Sequence, residues 1–62
     1  MDALQKDLNR TYEKLARNYG VLIAECEFQQ FANPDDFWLK MENELYAKQK
    51  LALAQIKKEE NV

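Results

Sequence analysis

Histidine and serine are missing from this chain of 62 residues, and glycine, proline and cysteine occur once each. Without His or Ser no conventional nucleophile–base–acid triad can be assembled, and one Cys with no His excludes the usual zinc sites. A single glycine, Gly20, is too few for a phosphate-cradling loop. Strand formers are scarce: one Thr, two Val and two Ile stand against abundant Leu, Ala, Glu, Lys and Gln, a helix-former composition. No run of about 18 apolar residues occurs, and Met1-Asp2-Ala3-Leu4 lacks the basic-then-apolar pattern of a secretion signal. The formal net charge of -2 provides no global basic field for nucleic acid. These absences predict an all-α, cytoplasmic, non-enzymatic protein with no cofactor, no metal and no membrane association. The lone Cys26 falls on an apolar helix face, which predicts a buried, reduced thiol.

What is present centres on Asn33-Pro34-Asp35-Asp36, the one strong punctuation mark in the chain. Asn33 reads as an N-cap and Pro34 as the first helical residue, with Asp35 and Asp36 facing the positive end of the helix dipole. Proline also disfavours α conformation at Asn33, so a preceding helix should stop there. The sequence therefore predicts two helices, near 2–32 and 34–60, roughly 46 and 40 Å long at about 1.5 Å per residue. Matched lengths favour an antiparallel hairpin with a tight turn over a bent rod. Gly20 is unfavourable within a helix and is the position where the first one would break. Glu59-Glu60-Asn61-Val62 is expected to fray, and residues 1–62 form a single helical-hairpin domain.

At about 100° per residue, helix one gathers Leu4, Leu8, Tyr12, Leu15, Tyr19, Leu22, Ile23 and Cys26 on its main face. From Leu8 to Cys26 the steps alternate 4 and 3, a heptad seam. Helix two gathers Phe37, Trp38, Met41, Leu45, Ala52 and Ile56, with Leu51 at the margin. Each helix also carries a second seam: Val21, Ala24, Phe28 and Phe31 on the first, Leu39, Tyr46 and Leu53 on the second. A hairpin covers one seam per helix, so the remaining two need another surface. Val21, Ala24, Leu39, Tyr46 and Leu53 are accordingly the predicted oligomer interface of a homodimer forming a four-helix bundle.

Charge and aromatics single out the turn. Between Asn18 and Leu39 the ionisable side chains other than Cys26 and Tyr19 are Glu25, Glu27, Asp35 and Asp36, with no Lys or Arg. Four of the seven aromatics, Phe28, Phe31, Phe37 and Trp38, lie there too. Rings rimmed by carboxylates suit a protein partner, with acids steering and rings supplying burial. Capping explains Asp35 and Asp36, and the tip's own core is the plainer explanation of Phe37 and Trp38. The candidate partner-binding residues are thus Phe28, Phe31, Glu25, Glu27 and Trp38. The favoured function is a small regulator or inhibitor acting by protein–protein interaction. The alternative is a structural subunit of a larger helical assembly. A third reading, nucleotide or nucleic-acid binding, rests on the stripe Lys6, Arg10, Lys14 and Arg17. Asp7 and Glu13 stand three and four residues before Arg10 and Arg17, the ordinary pairing of a solvated helix face. Mixed charge on the polar faces does not suit an anionic membrane.

Overall fold

The structure is a computed structural model that describes residues 2–57. Two α-helices, α1 (Ala3–Ala32) and α2 (Asp36–Ala54), pair along their lengths, and the molecule measures 50 × 15 × 13 Å between Cα atoms. Side-chain bridges fix the antiparallel sense, joining Asn9 to Lys57, Ala16 to Gln49, Glu27 to Tyr46 and Gln30 to Glu42. The chain is a hairpin and not a bent rod.

Asp2 caps α1, its Oδ1 accepting from the Gln5 backbone N–H at 2.8 Å. The helix runs unbroken through Gly20, which has no positive φ. It ends where the Asn33-Pro34 pair predicts, with the Asn33 N–H donating to the Gln29 carbonyl at 2.7 Å.

The cap of α2, however, is displaced two residues from the sequence expectation. Asn33 closes α1, while Asp35 is the N-cap of α2 and accepts from the Phe37 N–H at 3.0 Å. Pro34 therefore lies in the connection, and α2 begins at Asp36 instead of Pro34. The physical reason is that proline forces Asn33 out of helical conformation, and an acidic residue just beyond is as able a cap as asparagine.

The far end of α2 also stops short of the expected 60. Beyond Ala54, the Gln55 and Ile56 N–H groups make tighter bonds to the Ala52 and Leu53 carbonyls, both 3.2 Å. Asn9 then takes over the Lys57 backbone: its Nδ2 donates to the Lys57 carbonyl at 2.8 Å and its Oδ1 accepts the Lys57 N–H at 3.0 Å. The expected frayed tail at 59–62 lies outside the described residues.

The contact seam departs from the one predicted for α1. Buried and half-buried positions follow Gln5, Asn9, Tyr12, Ala16, Tyr19, Ile23, Cys26 and Gln30, again alternating steps of 4 and 3. This run shares Tyr12, Tyr19, Ile23 and Cys26 with the predicted main face but leaves out its Leu8, Leu15 and Leu22 and takes in Asn9 and Ala16. Leu4, Leu8, Leu15 and Leu22 are exposed. Ala16 and Ala52 are buried in the seam, and Gln49 reaches across beside Gly20 to the Ala16 carbonyl at 3.0 Å. On α2 the prediction fares better: Trp38, Met41, Leu45, Ala52 and Ile56 face inward, while Phe37 and Leu51 do not. The apolar core is accordingly short. It comprises Ile23, Cys26 and Leu45, with Tyr19, Trp38 and Met41 packed around them.

Candidate functional site

The seam closes on polar pairs at both ends and leaves most large apolar side chains outside. Among the described residues, twelve large hydrophobics are exposed, against five buried core residues of which two are alanines. Apart from Leu4 and Phe37, these exposed residues fall into three groups.

The first occupies one flank of the hairpin. Leu8, Leu15 and Leu22 repeat every seven residues and so share one line on α1. A groove of about 330 Å³ places Leu15 beside Leu51 of α2, with Tyr12, Tyr19, Lys48, Ala52 and Gln55 completing its walls. Lys48 is the one charged side chain among them.

The opposite flank carries Leu39, Tyr46 and Leu53, also spaced by sevens and all exposed. Residues 46 and 48 differ by about 200° around a helix, which is why these two flanks face away from each other. Here the neighbouring chain is acidic, and the Tyr46 hydroxyl donates to Glu27 Oε1 at 3.2 Å. That bond first, then burial, then the negative charge of Glu27 and Glu42, pushes the Tyr46 hydroxyl above the usual phenol range.

The third group is the outer surface of α1 near the tip. Phe31 is 90% exposed and Phe28 63%, with Ala24 one turn and Val21 two turns before Phe28. Phe28 and Phe31 are beyond the reach of the core because they point away from α2. Glu25 accepts from Gln29 Nε2 at 2.9 Å, and Glu27 leans to the Tyr46 flank. Trp38 does not join this group. It is half-buried against the Ile23–Cys26–Leu45 core, and its ring meets Phe37 edge-on with centroids 5.1 Å apart.

The predicted interface residues likewise divide: Leu39, Tyr46 and Leu53 form one flank, whereas Val21 lies on the outer surface of α1. Periodicity alone assigns Leu8, Leu15 and Leu22 to the intramolecular seam, and the structure places them outside it. The signal that marks it is the coexistence in α1 of two 4–3 runs differing only in phase, of which one partner helix can cover just one.

Cys26 is 4% exposed. Burial, and after it the charges of Glu42 and Glu25, pushes its thiol above the ordinary range, which disfavours the nucleophilic thiolate. On the basic stripe, Arg17 contacts Glu13 at 3.8 Å, an exposed i,i+4 pair. No helix among the described residues is long and apolar enough to cross a membrane. Compared with protein-family models, curated proteins and solved structures, the chain matches none of them.

Proposed function

We propose that this chain is a non-enzymatic helical interaction module, a small regulator or inhibitor that works by docking on another protein. It acts in the cytoplasm, where a lone buried thiol stays reduced, and self-associates as a two-fold dimer of hairpins. The observation that carries the reading is the outer surface of α1 near the tip, where Phe31 is 90% exposed and Phe28 63%. Neither ring contributes to the core, so folding alone does not account for them. Large aromatics are the side chains that concentrate binding energy once a partner buries them. Glu25 and Glu27 at the margin favour a partner with a basic rim.

Affinity capture from the native host tests this, with wild type and Phe28→Ala/Phe31→Ala run side by side. Both substitutions leave the core intact, so helicity should be unchanged. A protein retained by wild type and lost by the variant is expected. Identical captured sets would sink the tip as the functional surface.

A structural subunit of a larger helical assembly is the second reading. It is favoured by uncovered apolar flanks on opposite sides of one hairpin, the arrangement that propagates an assembly if both flanks are covered by further copies. Growth of mass with concentration, without another protein, distinguishes it from a fixed dimer. Nucleotide or nucleic-acid capture is less favoured, since Glu13 already neutralises part of the basic stripe.

A further inference from the structure

The proposed self-association leaves open which side of the hairpin it uses. We infer that a second copy of this chain packs on the leucine flank, over Leu8, Leu15, Leu22 and Leu51, and not on the Leu39–Tyr46–Leu53 side. The inference rests on the reading that the chain self-associates, and adds to it the face.

Direction is the first argument. In a four-helix bundle each helix aims its apolar seam between its two neighbours, at the bundle centre. The strongest apolar run in α1, from Leu8 through Tyr12, Leu15, Tyr19 and Leu22 to Cys26, behaves this way. Tyr12, Tyr19 and Cys26 turn toward α2, and the three leucines turn toward one flank. The structure covers the first half of that run and leaves the second half for a neighbour on that side.

Shape and area agree. The groove between Leu15 and Leu51 lies on this flank and is walled mainly by apolar side chains, a hole for leucines entering from a facing helix. A two-fold partner brings its own copies of the same leucines. With Cα extents of 50 × 15 Å, one long side of the hairpin projects about 750 Å². Stable interfaces bury roughly 800 Å² per partner, so a second copy has to cover essentially the whole of this side, side chains included.

The opposite flank fits a second copy less well. Burying Leu39, Tyr46 and Leu53 would also bury the Glu27 carboxylate that Tyr46 holds, which is costly unless Lys50, one turn beyond Tyr46 on α2, is drawn in to pair with it. On the leucine flank the groove presents Lys48 alone, whose long stem can keep its ammonium at the rim.

Analytical ultracentrifugation with site-specific photo-cross-linking tests the assignment. Wild type should sediment at twice 7.4 kDa. Leu22→Glu/Leu51→Glu, at positions 49% and 64% exposed in the hairpin, should sediment at half the wild-type mass, while Leu39→Glu/Leu53→Glu should retain it. To separate loss of the partner from loss of the helices in the first variant, benzoylphenylalanine is also placed singly at Leu22 and at Leu53. Illumination should give covalent dimer from Leu22 and none from Leu53. A wild-type monomer overturns self-association itself. A wild-type dimer that cross-links through Leu53, or keeps its mass in Leu22→Glu/Leu51→Glu, overturns the face and leaves self-association standing.

Discussion

Gln49 donates its Nε2 to the Ala16 carbonyl at 3.0 Å, and the same nitrogen lies 3.3 Å from where a Cβ on Gly20 would stand. One side chain thus bridges the helices and fills the space left by the glycine. Replacing Gly20 with Ala should gain about 0.5–1 kcal/mol from helix propensity. The new methyl also presses on Gln49, whose bond to Ala16 is worth about 0.5–1.5 kcal/mol. Gly20→Ala should therefore be nearly neutral in wild type and stabilising by about 0.5–1 kcal/mol in a Gln49→Ala background. Urea unfolding of the four proteins, at one chain concentration, measures this coupling. Equal effects in both backgrounds would show that Gln49 does not determine the tolerance at Gly20.

The turn gives a comparison between two neighbours. Asp35→Ala should cost about 1 kcal/mol, because it removes the acceptor for the Phe37 N–H. Asn33→Ala should cost much less, because Asn33 closes α1 through its backbone N–H, which alanine retains. Urea midpoints at unchanged slope rank the two. The reverse order would return the cap to Asn33.

Much of this hairpin was legible in the sequence. Proline after Asn33 ends α1, and apolar periodicity predicts both helices and most of the inner face of α2. The phase of the α1 seam was not legible. Leu8–Leu15–Leu22 and Asn9–Ala16–Ile23 alternate equally well with Tyr12, Tyr19 and Cys26, and hydropathy favours the leucines. The structure favours the second set because Ala16 leaves room for Gln49 to cross and because Asn9, Gln49 and Gln30 find partners on the other arm of the hairpin. A cross-helix polar pair leaves no mark in the pattern of either helix alone. Phe28 and Phe31 were legible for the opposite reason, since neither of the two competing phases, both of which pass through Cys26, brings them inward. Trp38 was grouped with them by proximity in sequence, but it belongs to the core.

Cys26 should be chemically silent until the hairpin opens. Its thiol is almost inaccessible, and burial, followed by the nearby Glu42 and Glu25 charges, holds it protonated. Native protein should react with iodoacetamide many times more slowly than the same chain in denaturant, at a rate that follows opening. Glu42→Gln should accelerate labelling only slightly, because burial is the larger cause. Native labelling as fast as in denaturant would show that the Ile23–Cys26–Leu45 core is not closed.

Tyr46 gives the fold an alkaline limit. Its neutral hydroxyl donates to Glu27, and that bond is the main reason its pKa in the folded chain is raised above the unfolded value near 10. A group whose folded pKa is the higher one stabilises fully below the unfolded pKa, and its contribution is lost as pH rises through the folded pKa. The contribution should thus be intact at about pH 9 and fade well above pH 10. Stability should fall more steeply over that alkaline range in wild type than in Tyr46→Phe, which has no proton to lose. Glu27→Gln should move Tyr46 back toward the ordinary phenol range, because it removes the negative charge and weakens the bond. Denaturant unfolding across the alkaline range, with phenolate absorbance as the second readout, follows both effects. Parallel pH profiles for wild type and Tyr46→Phe would mean that the Tyr46–Glu27 bond does not hold the flank of α2 to α1 in solution.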